Sequence, residues 1–315
     1  MIKLSVAIAT YDRNDVLAIA LTALENQSCS KDSYEVIVVD DGSPYKACQK
    51  TKDMVTNLDM QVRFISQAHK GPAAAWNSGI KAARGEIVLI INNDTIATPR
   101  LLAQHIQFHR LHTDENIAML GFITWSPKLK VTPFDYWLEH GGPHLNYGQI
   151  SGNEAKWWHF WNCNISLKRN FLLANGLYDE GFLYPAWLDV EMGYRLSLKN
   201  LKLVYDKTAI AYHYHSTGIE SSKQRMIYYG KGAVWMFQKM PAADVPPLVR
   251  PYYRKVFQFL DTIILCKPLL FILEKIAYWA ESRVKLGIVF TALMAHYRIK
   301  GIKEECQRLK VEQRS

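Results

Sequence analysis

No stretch of this 315-residue chain supplies the roughly 20 uninterrupted apolar residues that a membrane-crossing helix needs. The nearest, residues 256–276, is broken by Asp261, Lys267 and Pro268. Cysteine is scarce: Cys29, Cys48, Cys163, Cys266 and Cys306 are odd in number and scattered, and none makes the close pair of a zinc site or a disulfide framework. That pattern points to a reducing compartment. The apolar segment LSVAIA at residues 4–9 is too short, and too soon followed by Tyr11, Asp12 and Arg13, to read as a secretory signal, so the expected location is the cytoplasm. Glycine-rich phosphate loops are missing as well. Neither a dinucleotide fingerprint nor a P-loop follows the first apolar segment, and internal repeats and low-complexity tracts are absent.

What is present is an ordinary globular composition, 49% apolar and 21% charged, enough to bury one large core or two modest ones. Net charge is +9, and residues 245–315 hold thirteen Lys and Arg against six Asp and Glu, a surplus of seven. Nucleic acid is the first partner that such charge suggests. The tail, however, interleaves its bases with VFQFLDTIILC, PLLFIL and LGIVFTALMAHY, a pattern that fits an anionic membrane surface better.

Strand and helix signals alternate from the start. LSVAIAT reads as a strand, followed by a helix capped by Asn14 with Val16, Leu17, Ala20, Leu21 and Leu24 at helical spacing. YEVIVVDDGS, VRFISQ and EIVLII read as further strands, with helices between them, and Thr98-Pro99 reads as the N-cap and first turn of the next helix. Apolar strands alternating with helices predict a parallel sheet wrapped by helices, with ligands beyond the carboxyl ends of its strands. Those ends carry Thr10, Asp40, Asp41, Asn92, Asn93 and Asp94. After residue 115 the alternation weakens. Residues 121–156 read as loops and short strands, residues 187–200 as a helix starting near Asp189, residues 201–215 as one or two strands, and the prolines at 241–251 as a boundary. The expected division is 1–115 and 116–240 for two halves of one domain, with 241–315 as a basic apolar helical tail.

An acid pair after the second strand, Asp94 after the fourth, Asp189 ahead of a helix and His213 further on form the candidate constellation. At these residues the chain resembles the GT-A glycosyltransferases of family 2. The matching segments are SVAIATYDR, YEVIVVDDGS, GPAAAWNSGIKAARGEIVLIINND, GLYDEGFLYPAWLDVEMGYRL and AIAYHYH, together covering roughly residues 4–215. The resemblance implies a GT-A, Rossmann-like α/β fold with a mostly parallel sheet flanked by helices. It implies inverting transfer of a sugar from a nucleoside diphosphate, UDP by family default, to a hydroxyl of a glycan or lipid-linked acceptor.

By the same resemblance, Thr10, Tyr11, Asp41, Asn77, Asn92 and Asn93 face the donor, and Asp94 and His213 hold Mn2+ or Mg2+. Hard cations take oxygen ligands and need only one or two carboxylates when phosphates supply the rest. Asp189 is the expected general base, since an inverting transfer needs one carboxylate to accept the proton of the attacking hydroxyl. Trp157, Trp158 and Trp161 offer faces for an acceptor sugar or lipid, with Asp179 and Glu180 on the acceptor side. Four residues depart from the family pattern: Asn92 and Asn93 where acids are common, Trp76 where arginine is usual and Leu188 where glutamate is usual. These substitutions keep two other readings open, a non-catalytic sugar-nucleotide binding module and a nucleotidyltransferase.

Overall fold

The computed structural model describes residues 2–238, 240, 241 and 267–312, so residues 242–266, which include most of the apolar stretch 256–276, lie outside the described residues. In chain order the elements are β1 (Leu4–Thr10), α1 (Asn14–Glu25), β2 (Tyr34–Asp40), α2 (Tyr45–Thr56), β3 (Val62–Ser66), α3 (Pro72–Ala82), β4 (Ile87–Asn92), β5 (Thr95–Ala97) and α4 (Leu101–Leu111). Next come β6 (Ile117–Trp125), α5 (Pro133–His140), β7 (Glu154–Ala155), β8 (Ile165–Lys168), α6 (Arg169–Asn175), α7 (Leu188–Ser197) and β9 (Lys202–His213). Helices α8 (Ile219–Gln238), α9 (Lys267–Ala280) and α10 (Gly287–Glu312) follow.

Two compact units emerge. The first comprises Met1–Leu129, Tyr147–Phe182 and Leu188–His215. It carries a nine-stranded sheet in the order β3-β2-β1-β4-β8-β6-β9-β5, with β7 paired to β9. Strands β1 to β4 run parallel, as the alternation predicts, and β1, β2 and β4 are buried almost from end to end. A parallel strand shielded on both faces has no polar side to show, which is why each reads as an unbroken apolar run. Strand β1 lies between β2 and β4, so the order reverses there, the point beyond whose strand ends open α/β sheets bind ligands.

The other half of the sheet is mixed rather than mostly parallel. Strand β8 is antiparallel to β4 and β6, β5 and β7 are antiparallel to β9, and β6 and β9 are parallel. Residues 121–156 hold the second half of β6 and the helix α5 as well as loops, and residues 202–213 form one long strand. Both expected caps are replaced. Asn14 donates instead to Ala47 O and Thr51 Oγ1, and the Thr98 hydroxyl donates to Ile210 O while Gln27 Oε1 receives the Leu102 amide at the start of α4.

The second unit comprises Lys130–Asn146, Leu183–Trp187 and Ser216–Ser315. Helix α5 opens on a capping box in which the Thr132 and Asp135 side chains each bond the other's backbone amide. Helices α8 and α10 cross at Gly230 and Gly301, where an added Cβ would stand 2.1 Å from Arg298 O and from Ile227 O respectively. Only glycine lets the two backbones approach so closely.

In the first unit the ladder between β6 and β9 shifts register at Gly121 and Phe122. Asn164 fills the gap: its Nδ2 donates to Ala209 O at 2.9 Å and to Phe122 O at 3.3 Å, and Gly121 has no room for a Cβ beside it. Two buried histidines support the wedge, His105 with its rings nitrogens 2.9 Å from Asn164 Oδ1 and 2.7 Å from Ser166 Oγ, and His109 with Nε2 2.9 Å from the same hydroxyl. Burial holds His105 down at about 4, and burial together with the His105 and Lys168 charges holds His109 near 3. Above pH 6.5, the ordinary histidine value, both rings are neutral folded or unfolded and their full contribution is present. As pH falls below 6.5 the unfolded chain takes up protons first, and stability is lost towards pH 4. His105 alone accounts for roughly 2 kcal/mol at pH 5. Urea unfolding at pH 7.5 and pH 5 should therefore show a falling midpoint, with a smaller fall in His109→Gln.

Candidate functional site

The residues expected to face a donor gather at the switch between β1 and β4. Asn93 Nδ2 donates to Thr10 Oγ1 at 3.1 Å and ties the two strand ends together, with Asn92 half-buried as the last residue of β4. Asp41, buried after β2, spends its carboxylate on the loop that follows β3. It accepts from Gln67 Nε2 at 2.7 Å, from the Lys70 amide at 3.1 Å and from the Gly71 amide at 2.8 Å, with His69 Nδ1 2.9 Å away. Gly42 adopts φ +79°, and a Cβ there would meet the His69 amide at 2.5 Å. The result is a wall in which the His69 ring lies 4.7 Å from that of Tyr11, an aromatic side chain left 48% exposed.

Asp94 and His213 are 119 positions apart and meet because of strand pairing. Thr95 of β5 is in register with His213 of β9, and Asp94 O accepts the Tyr214 amide at 2.8 Å. Asp94 Oδ1 is buried, accepts no hydrogen bond and stands 4.0 Å from His213 Nε2, while Oδ2 is 3.7 Å from the Arg13 guanidinium. A cation bound at about 2.0–2.2 Å to each fits within a 4.0 Å gap between oxygen and nitrogen. Among the described residues no three His, Cys, Asp or Glu side chains enclose an ion, so the donor set fits a cation completed by phosphate oxygens and water.

Asp189 stands in the first turn of α7, half-buried, with Oδ1 accepting the Val190 amide at 2.9 Å and the Asn162 amide also bonded to the carboxylate. Burial raises it to about 6 against the pull of these amides. Burial pushes the Cys163 thiol up to about 12, and the charges of Asp189 and Asp94 add to the rise. Glu191, two residues on, is turned away to Arg195 at 2.7 Å.

Asn77 is buried and commits its amide to the segment 178–180. It donates to Tyr178 O at 2.9 Å and Glu180 Oε1 at 2.8 Å and accepts the Tyr178 amide at 2.9 Å. Glu180 is thereby held against α3, while Asp179 receives the Gly181 amide at 2.9 Å. The three tryptophans are half-buried rather than fully packed away. Trp157 rests on Trp158 and Tyr194, and Trp161 lies 4.8 Å from Tyr147 and 5.4 Å from His159.

The sequence pattern of Glycosyl transferase family 2 matches residues 5–168, more than half of the chain. The chain belongs to this family. It is 27% identical over 268 residues to a chondroitin synthase of Escherichia coli, a match covering 76% of this chain and 38% of that protein. It thus spans well under half of that relative, and about half of the validoxylamine A glucosyltransferase of Streptomyces hygroscopicus subsp. limoneus, to which it is 23% identical. In fold it is similar to a mannosyltransferase from Pyrobaculum calidifontis, solved with GDP-Man and Mn2+, at a TM-score of 0.64 and 16% identity, covering 96% of this chain and 86% of that one.

Within this family 2 chain, sequence reasoning passed over Arg13, His69 and Asn162. Arg13 sits three residues past the end of β1, and a base at a strand mouth was a usable signal. His69 and Asn162 gave none, because each is placed by contacts with residues distant in the chain. Another unread residue is Gly193 of α7. A Cβ there would stand 2.5 Å from both Phe160 Cβ and Trp157 O, so α7 seats its Asp189 end against the tryptophan segment through a bare backbone. Gly193→Ala should cost about 1–3 kcal/mol by overpacking, read as a lowered urea midpoint.

Proposed function

We propose that this chain transfers a sugar, with inversion, from a nucleoside diphosphate donor to an acceptor hydroxyl in the building of a cell-surface glycan or glycolipid. The observation that carries this reading is the register of β5 on β9, which sets Asp94 beside His213 just past the carboxyl end of β4. Family membership and the likeness to chondroitin synthase support it. UDP is the default nucleotide by family, and a neighbour in fold, S. aureus TarS, was solved with UDP-GlcNAc at a TM-score of 0.52.

In this reading the nucleobase lies against Tyr11 and His69, with Asp41 fixing that wall. Thr10, Asn92 and Asn93 face the ribose and phosphates, and Asp94 and His213 are the residues that would hold Mn2+ or Mg2+. A bound cation would offset the charge that grows on the leaving diphosphate. Arg13, beside Asp94, adds a second positive charge at the same place. The acceptor hydroxyl loses its proton to Asp189 as its oxygen attacks the anomeric carbon, and the bond to phosphate breaks with its electron pair leaving on the nucleoside diphosphate. Asp189 suits this task, since a carboxyl near 6 is ionised at neutral pH yet a stronger base than an ordinary aspartate. Trp157, Trp158 and Trp161 border the acceptor, while Asn77, Asp179 and Glu180 position the segment 178–181. The basic apolar tail associates with a membrane surface, on the cytoplasmic side, where a lipid-linked acceptor is reached.

Kinetics of the wild type and of three variants check these roles. The value of kcat/KM should rise through about pH 6 and level above it, because the base must be ionised. Asp189→Asn should lower transfer about 100-fold or more while donor binding by calorimetry is kept. A variant that still transfers normally would remove Asp189 from the chemistry, and wild-type chain that binds donor without transfer would favour the binding-module reading. Asp94→Ala should abolish stimulation by Mn2+, and Asn93→Asp should lower the Mn2+ concentration for half-maximal rate by adding a carboxylate.

A further inference from the structure

Helix α9 of the second unit turns an apolar face outward. Leu269, Ile272, Ile276 and Trp279 follow the spacing of one helical stripe and are 48%, 52%, 40% and 54% exposed, and Phe271 beside them is 60% exposed. Ala277 and Ala280 lie on the buried side of the helix. Fourteen residues rise only about 21 Å, short of the roughly 30 Å hydrocarbon layer, so the helix is suited to lie along a bilayer rather than to cross it.

The charges of the helix are sorted by direction. Glu274 is drawn inward to Lys223 at 2.7 Å, and Glu281 just beyond the helix accepts the Ile219 amide at 2.8 Å, at the start of α8. The cations remain outside. Lys275 is exposed within the apolar arc, its Nζ 5.3 Å from the Phe271 ring, and Lys267, Arg283 and Lys285 are exposed at the two ends. Such a surface offers aromatic and aliphatic groups to acyl chains and cations to phosphates, the exposed Glu220 at Tyr278 being paired with Lys223.

We propose that α9 docks in the plane of an anionic lipid bilayer through Leu269, Phe271, Ile272, Ile276 and Trp279, with Lys267, Lys275, Arg283 and Lys285 on the lipid phosphates. This deepens the membrane part of the proposed function and is independent of its sugar chemistry. Charge complementarity selects the occupant, since a second copy of the face would oppose cation to cation.

The test uses the full chain and vesicles of phosphatidylcholine with or without 30% phosphatidylserine, about the level that makes a surface strongly anionic. The chain should sediment with the anionic vesicles and be released by high salt. In I272S/W279S, both exposed positions, the partition coefficient should fall about tenfold or more, and K275E/K285E should bind anionic vesicles no better than neutral ones. Brominated lipid should quench part of the tryptophan emission, and this part should vanish in Trp279→Phe. Thermal shift by UDP-sugar on the same samples should be unchanged in every variant; loss of that shift in all samples would count against the sugar-transfer reading and leave the docking result standing. Wild-type chain that stays in the supernatant, or I272S/W279S that binds as tightly as wild type, overturns the proposal. So does a concentration-dependent dimer that I272S/W279S dissolves, because a second copy then covers the face.

Discussion

The Asn164 side chain, wedged between β6 and β9, is the contact on which the geometry of the first unit depends. Strands β4 and β5 are joined by two residues, Asn93 and Asp94, which span at most about 11 Å between Asn92 and Thr95. In the sheet order they stand four strand spacings apart, about 19 Å if the sheet were flat. A flat sheet cannot close that connection. The register shift at Gly121 and Phe122 supplies the bend, because an irregular ladder lets strands twist more than a regular one. Asn164 satisfies the carbonyls that the shift leaves over, and His105 holds its other amide atom, so the bend is kept by paired polar groups rather than by exposed ones.

From that bend follows the site. Once β5 reaches β9, Thr95 registers with His213, and Asp94 is delivered to the edge where β1 and β4 part. The same strand β8 that carries Ser166 of the wedge begins just after Cys163, the residue that feels both Asp94 and Asp189. The polar wedge that shapes the sheet and the Asn162 amide that bonds the Asp189 carboxylate therefore lie on one continuous stretch of chain, residues 162–166.

The parallel half was legible in the sequence because burial on both faces leaves its mark in β1, β2 and β4 as unbroken apolar runs. The mixed half was not. Strands β5 and β7, of three and two residues, are shorter than any period they could show, and the capping box of α5 lies in a stretch whose glycines, prolines and aromatics read as loop. The two misplaced caps have one cause. Asn14 and Thr98 can each bond locally, and in the fold each finds a better partner distant in the chain. Among site residues, Asp41, Asp94 and Asp189 were legible as acids at element ends. That Asp41 is saturated while Asp94 Oδ1 is not could not be read, because it depends on which loop folds back.

That difference carries the functional argument. Buried Glu35 accepts from Ser5 and the Arg84 amide and pairs with Arg63; Asp40 is closed by Ser43; Asp41 is closed by Gln67 and two amides; Glu191 is held by Arg195. Each of these carboxylates is in balance, its charge offset by the groups that fix a loop or helix in place. Asp94 and Asp189 are closed less completely, although Arg13 stands 3.7 Å from the second oxygen of Asp94. One keeps a buried oxygen that accepts no hydrogen bond, and the other is held near 6 by burial with backbone amides bonded to it and no ion-pair partner among the described residues. Burying such groups lowers stability, and an apolar residue at either position would relieve the cost. Packing gives no reason to retain them, and a reaction that brings its own cation, phosphates and proton to these two oxygens does.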